Sequence, residues 1–332
     1  MKSVTVLGLS LTLIYNIYSL PSHAQQNSTY PSKPIRVIVP FVSGGPMDLI
    51  GRIVGQQFTK KWGQNFIIDN RGGAAGTIGT ETAAKSAADG YTLLHTSSAH
   101  AMLPAFNKLN YDPVQDFSAI TTAARMVGYV LCVHPNLSAH NVSELIALAK
   151  KNPSTLNYGT SGYGGVLHMA NELFNAAAEI KMTPVHYKGV GQVVTDLAGG
   201  HINLSFMGSS NTVSVAKTGK IRPLAISGAK RWKQLPEVPT ISESGLKDFT
   251  YYAWFGFWFP ANTPKDIVQR MHETIASTVR EPTVITRFDE LGFEPYILSS
   301  EAFTQLVQSD IKTTKKIAEK IDKTSSGAAP LQ

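Results

Sequence analysis

Cysteine is almost absent: Cys132 is the only one in 332 residues. A lone thiol cannot close an internal disulfide, and a zinc site built from cysteines is equally excluded. Within Val130-Leu131-Cys132-Val133 it reads as a buried small hydrophobe, with a reactive thiol as the alternative. Charge is also sparse, at 16% of residues against 43% hydrophobic, a balance that builds cores and excludes a disordered chain. Beyond the N-terminus no run approaches the roughly 18 to 20 apolar residues a membrane span needs. Lysine and arginine are scattered and no basic block with interleaved aromatics occurs, so nucleic acid is not an expected partner. There is no HExxH, no carboxylate pair at a spacing suited to acid-base work, and no call for a metal or cofactor.

What is present begins with an export signal. Residues 1–24 combine Lys2, an apolar run from Val4 to Ile17 interrupted by Asn16, and Ser22-His23-Ala24 at the cut. That pattern predicts export of the mature protein. Removing Lys2 takes the formal charge from +7 to 7 − 1 = +6. Residues from Gln25 to Ser32 form a polar lead-in.

The stretch with most chemical content is Pro40-Phe41-Val42-Ser43-Gly44-Gly45-Pro46-Met47-Asp48. The β-rich run Ile35–Val39 leads in and an amphipathic helical pattern from Leu49 to about Lys61 leads out. A strand that opens through glycines into a helix leaves backbone N–H groups, at the positive end of a helix dipole, above the strand end. That suits an anion, and Asp48 can cap the first turn. The device recurs: Leu156-Asn157-Tyr158, then Gly159-Thr160-Ser161-Gly162-Tyr163-Gly164-Gly165, then a helix through Val166, Ala170 and Phe174. Two such loops facing each other would grip an anion from both sides. The second loop also brushes against GxSxG, but Tyr163 occupies the final position, which breaks a nucleophile elbow and argues against an exported hydrolase.

Between these loops come a strand at Asn65–Asp69 and a helix opened by Gly72–Gly79 and running through Ala84 to Ala88; its Gly73, Gly76 and Gly79 do not match a dinucleotide fingerprint. The strand Tyr91–His95 ends in Thr96-Ser97-Ser98, whose hydroxyls are either ligand contacts or helix caps. From Phe117 to His134 the chain is nearly all β-prone, one long strand or two in line, passing from a first domain to a second. Further elements are a helix at Val142–Lys150 capped by Asn141 with Glu144, strands at Thr183–Tyr187, Ile202–Phe206 and Arg222–Ser227, and helices at Gln192–Ala198 and Val213–Lys217. The aromatic run Ala253–Phe259 is the return crossing, read as core or interdomain packing in preference to a stacking platform. Helices at Lys265–Val279 and Pro282–Leu291, a strand near Phe293–Ile297 and a last helix at Ser300–Lys320 complete the first domain. The alternation predicts an α/β fold with mostly parallel sheets: two lobes, 30–126 with 251–320 and 127–250, joined by two crossing hinge strands, with a polar tail at 321–332.

With both loops and both crossings placed, the chain resembles the Bug family, the TctC-like periplasmic solute-binding proteins of tripartite tricarboxylate transporters, from about Tyr30 to Lys320. The motifs are Tyr30-Pro31-Ser32-Lys33-Pro34-Ile35-Arg36, Val39-Pro40-Phe41 with Gly44-Gly45 and Asp48, and Asp89-Gly90-Tyr91-Thr92-Leu93-Leu94. Further matches are Tyr111-Asp112-Pro113 with Asp116-Phe117, Leu156-Asn157-Tyr158 with Ser161-Gly162, His186-Tyr187-Lys188-Gly189 before Thr195-Asp196-Leu197, and Ala253-Trp254-Phe255-Gly256. The resemblance implies a receptor, not an enzyme, that closes on a small carboxylate, a di- or tricarboxylate or an aromatic acid, and serves membrane transporter subunits or else a sensor protein. It is expected to act as a monomer. Carried over, it assigns Phe41, Val42, Ser43, Gly44, Gly45 and Asp48 from the first loop with Ser97 and Ser98 beside them, and Thr160, Ser161, Gly162 and His168 from the second lobe. The sequence departs from the family at Ser43, Pro46-Met47 and Met207-Gly208. If Met207 faces the cleft where an acidic residue is usual, it disfavours an amino-acid ligand; otherwise it is core. His168 either donates to a ligand carboxylate or packs against its loop, and Lys188 is read as a solvated turn lysine or a cleft-mouth cation.

Overall fold

The computed structural model describes residues 30–187 and 189–325. The expected signal segment and Lys188 lie outside the described residues. The chain opens with β1 (Ile35–Val39), α1 (Pro46–Trp62), β2 (Phe66–Asn70), a 3-10 turn at Ala74–Gly76, α2 (Thr77–Ala84), β3 (Thr92–Ser97) and α3 (Ala99–Phe106). β4 (Phe117–Met126) and β5 (Tyr129–Val133) follow almost end to end. Next come α4 (Val142–Lys151), β6 (Asn157–Thr160), α5 (Val166–Ala178), β7 (Thr183–His186), α6 (Val190–Gly199), β8 (Leu204–Gly208), α7 (Ser209–Ala216) and β9 (Arg222–Ile226). After a long connection, β10 (Trp254–Pro260), α8 (Lys265–Thr278), α9 (Pro282–Leu291), β11 (Phe293–Pro295) and α10 (Ser300–Ser325) complete the chain.

The strands form two sheets, one in the order β11-β4-β10-β3-β1-β2 and one in the order β7-β6-β8-β5-β9. The expectation of mostly parallel sheets is corrected. β1 is parallel to β2 and β3, and β6 to β7 and β8. β10, β11 and β5 run antiparallel to every neighbour. The reason is connectivity: β5 and β10, reached by a crossing between sheets, enter from the opposite end without a helical crossover, and β11, which follows β10 through α8 and α9, keeps the direction of β10.

Other differences are local. α2 stops at Ala84, because Lys85 turns out of the helix with its N–H on Glu81 and Ala83 carbonyls. α3 went unread, since Ala99–Phe106 is uniformly apolar with Pro104 inside and gives no helical period. α10 runs past Lys320 to Ser325. The lead-in ends earlier than expected: Tyr30 is buried, its hydroxyl donating to the Gly90 carbonyl at 2.6 Å.

The six-stranded sheet is packed on both faces with strict alternation. Val37, Val39, Leu93, Phe255, Phe257 and Phe259 join one apolar cluster. Ile38, Leu94, Trp254 and Trp258 join another, under α2, α3 and α10. The aromatic run is therefore core. Gly256 sits between the two tryptophans because the Phe303 ring occupies the space a side chain would need, 2.2 Å from where its Cβ would stand. Cys132 is fully buried in the second sheet, and burial pushes its thiol above the ordinary range, as an inert hydrophobe requires.

The crossings set the relation of the two sheets. At Val127-Gly128 the chain passes from β4 to β5, with Gly128 at φ +143. It lies against Gly228, just past β9: a Cβ on Gly228 would stand 1.8 Å from the Val127 carbonyl oxygen. Ser227 ties the passages together. Its N–H donates to Tyr129 O (2.8 Å), its Oγ accepts from Tyr129 N–H (2.9 Å) and donates to Tyr251 O (2.5 Å), and its carbonyl accepts from Tyr251 N–H (2.8 Å). Backbone meets backbone here with no room to yield, so Gly228→Ala is expected to destabilise the protein by roughly 2–3 kcal/mol in urea unfolding, without loss of secondary structure at 25 °C.

Candidate ligand-binding cleft

The first loop projects from the C-terminal end of β1. Its main chain is set from below by glycines between β2 and α2 and in the first turn of α2. A Cβ at Gly79 would lie 2.8 Å from Pro40 Cα, one at Gly76 3.0 Å from the Phe41 ring, and one at Gly72 3.5 Å from Val42 N. These glycines are a seat for residues 40–42, which explains a set that lacks the dinucleotide spacing. Asn70 Nδ2 adds a hydrogen bond to Phe41 O at 3.1 Å. Val42, at the tip, is 76% exposed.

Asp48 fixes the other half of the loop. It is the third residue of α1, not its cap; Gly45 holds the cap position without a side-chain bond. The buried carboxylate reaches back instead, Oδ2 accepting from Gly44 N–H (3.0 Å), Ser43 Oγ (3.2 Å) and Arg52 Nε (2.9 Å). Burial alone would raise its pKa; hydrogen bonds from Arg52, the Gly44 N–H and Asn70 outweigh that and hold it at about 2. Its work is to shape the loop. Beyond it, Gly44 (φ +84) has nothing within 4 Å of a would-be Cβ, and Gly45 has only the Val42 carbonyl at 3.7 Å. The main chain there is open to an approaching group.

Ser97 and Ser98 end β3 and begin α3, both buried. Ser97 Oγ accepts from Ala99 N–H at 3.3 Å, the capping alternative. Ser98 Oγ has no partner among the described residues despite full burial, which leaves a hydroxyl available at the strand end.

The second loop leaves β6. Thr160 is fully buried and internal: its Oγ1 accepts from Gly162 N–H at 3.2 Å and shares a 2.8 Å hydrogen bond with His186 Nδ1 at the end of β7. Gly162 (φ +121) has open space over it, and Ser161 beside it is partly exposed. His168, one turn into α5, is buried and accepts from Gly164 N–H through Nδ1 at 3.0 Å. Burial, helped by neighbouring His186, lowers its pKa to about 4. It is therefore neutral at physiological pH, with its proton on Nε2.

The two loops belong to different sheets, yet the structure brings their surroundings together. Phe106, at the end of α3, lies over Gly164: a Cβ there would stand 2.5 Å from the phenyl ring. The same ring meets Tyr163 edge-on at 5.5 Å between centroids. Tyr251 Oη, from the crossing, donates to Val166 O at 3.0 Å. Sequence reasoning missed Phe106, Tyr163 and His186 as site neighbours. Phe106 sits in the unread α3, and only the 50% exposure of an aromatic on a glycine loop marks Tyr163.

Met207 takes the core alternative. Its side chain is fully buried in the apolar cluster that includes Val130, Cys132, Ile226 and Trp232, and its strand position pairs with Val130. The bias against amino-acid ligands that depended on its facing the cleft falls with it.

The family model described as tripartite tricarboxylate transporter family receptor matches residues 50–323. The chain belongs to this receptor family. Its members are solute-binding receptors and not enzymes. The chain is 31% identical over 287 residues to protein BugT of Bordetella pertussis, covering 86% of this chain and 88% of that one. Among solved structures it is similar to Rpa4515 of R. palustris with adipate, with TM-score 0.78, 32% identity and coverage of 91% and 100%. It is also similar to MatC from Rhodopseudomonas palustris with bound malate, with TM-score 0.73, 28% identity and coverage of 87% and 100%.

The Asp48 geometry carries a sign. A carboxyl held below its unfolded value stabilises the fold above pH 4, and that contribution disappears as pH falls towards the folded value of about 2. Asp48→Asn is expected to cost roughly 1–3 kcal/mol at pH 7. In urea denaturation the gap to the wild type should persist to pH 5 and narrow by pH 3.5.

Proposed function

We propose that this receptor captures a small carboxylate, a di- or tricarboxylate or an aromatic acid, between its two glycine loops and delivers it to the membrane subunits of a tripartite transporter. It would do so in the periplasm, after removal of residues 1–24. The observation that carries this reading is the pair of open glycines. Gly44 and Gly162 both take positive φ at the tip of a strand-to-helix loop, one on each sheet, and neither has an atom within 4 Å of its would-be Cβ. Gly63, Gly219 and Gly245 share the positive φ and the open space but lie outside any strand-to-helix loop, and at Gly76, Gly79, Gly159 and Gly256 neighbours crowd that space. A glycine that no neighbour requires is suited to a ligand that approaches the main chain.

In this reading Ser43 and Gly45 offer N–H groups from the first lobe, with Ser98 Oγ beside them, while the Gly44 N–H stays on Asp48. Ser161 offers its N–H from the second lobe, with His168 behind, while the Gly162 N–H stays on Thr160 Oγ1. Phe41, Asp48 and Thr160 hold the loops in shape, Ser97 turns into α3, and Val42 forms an apolar lip. The solved relatives holding adipate and malate support the ligand class. Closure follows if the ligand contacts both lobes, since only a group with unequal affinity for the open and closed states shifts their balance.

Isothermal titration calorimetry with adipate, malate, citrate and benzoate tests the proposal. At least one is expected to bind saturably, one per chain. Gly162→Ala is expected to weaken that binding tenfold or more, since a Cβ there strains the φ +121 backbone while meeting no neighbour. Absence of binding across the four acids would contradict the proposal.

A further inference from the structure

The second lobe carries a pair of imidazoles whose arrangement exceeds what a backbone pinch requires. The His168 and His186 rings meet edge to face at 5.1 Å between centroids. Each has Nδ1 committed inside the lobe, His168 to the Gly164 N–H and His186 to Thr160 Oγ1. Both anchoring residues belong to the glycine loop, so the rings and the loop form one unit. Tyr163 closes over it, 5.2 Å from His168 and 5.8 Å from His186. Sequence reading singled out His168 and noted His186 only within a motif.

The groups facing the pair can be named from each element. From β6, Tyr158 stacks on His168, and its hydroxyl is bound by Glu172 of α5. Glu172 also accepts from Asn175 Nδ2 at 3.2 Å, so that carboxylate is engaged away from the imidazoles. From the loop come Thr160 and Tyr163. Lys188, two residues beyond His186, lies outside the described residues. No acidic side chain contributes to the electrostatics of His168, where burial and His186 are the influences. Burial also lowers His186, although part of that residue is exposed. His168 carries its proton on Nε2 and uses Nδ1 to accept from the Gly164 N–H, so a proton taken up by the pair falls on His186.

We infer that His186, backed by the neutral His168, is the proton-accepting ring of a recognition pair, so that an acidic ligand is captured together with a proton. The inference rests on the carboxylate reading of the cleft. In the free protein the missing element is a counter-charge; a ligand carboxylate above Gly162 supplies one. The pair then titrates at a higher pH in the complex than in the free protein. Between those two values binding takes up a proton, and affinity rises as pH falls. Above the higher value affinity no longer depends on pH. Selectivity follows as well: an acid with a second carboxylate can use the first-lobe N–H groups and the imidazolium at once, which a monocarboxylate cannot.

The test is calorimetry of the full mature chain with adipate, malate and citrate at pH 6.5, in two buffers of different ionisation enthalpy, with dissociation constants measured at pH 7.5 and 6.0. Net uptake of roughly 0.3 to 1 proton per ligand, and binding at least threefold tighter at pH 6.0, are expected. His186→Gln, on the more exposed ring, and His168→Gln should each reduce the uptake, while the melting temperature of the free His186→Gln protein stays within a few degrees of wild type. Binding with equal heats in both buffers and no change between the two pH values would overturn the inference and leave the carboxylate reading standing. No binding at any pH would remove both.

Discussion

The constraint on which the molecule depends is the contact of bare backbone at Gly128 and Gly228. There the passage from β4 to β5 lies against the chain leaving β9, at a distance no side chain tolerates. Ser227 then bonds both to Tyr129 and to Tyr251, so outgoing and returning chains are held by one buried residue. The joint combines main-chain hydrogen bonds with those of the Ser227 hydroxyl. One apolar cluster runs across it, taking in Val37 and Phe257 of the first sheet with Leu131 and Phe206 of the second.

On either side of that joint the same physics recurs in two forms of glycine. Some are crowded, and their absence of a side chain lets another part of the protein come close: Gly72, Gly76 and Gly79 under residues 40–42, Gly164 under Phe106, Gly256 under Phe303. Others, Gly44 and Gly162, are open. The crowded ones fix where the loops go, and the open ones leave the main chain clear of neighbouring side chains. Asp48 and Thr160 act as internal struts, each turning its side chain back on its own loop. Recognition through backbone needs this rigidity, because a loop that must be ordered by its ligand loses affinity to the ordering.

Much of this was legible in the residues. The β-prone runs Ile35–Val39, Val130–Val133 and Trp254–Phe259 gave strands in place. Asn141 with Glu144 gave a capped helix; in the structure Asn141 Oδ1 accepts from Glu144 N–H at 2.8 Å, and Glu144 accepts in return from His140 N–H at 2.7 Å. What could not be read was anything depending on long-range placement. The strand directions depend on which end of a sheet a crossing enters. α3 lacks an amphipathic period because both its sides are covered, and with it the partnership of Phe106 and Tyr163 was hidden. Met207 was ambiguous because a core position and a cleft position on β8 differ by one residue in register. The acidic residue at the start of α1 was visible as a helix-end signal, but its use in shaping the loop ahead of it was not.

The most direct test of the central claim is a crystal structure with adipate bound. The account predicts one adipate per chain, its carboxylate oxygens within hydrogen-bond distance of the main-chain N–H groups of Ser43, Gly45 and Ser161, and Tyr163 and Phe106 beside it. Adipate held instead by side chains away from both loops, or bound to one lobe with the other loop untouched, would contradict the account.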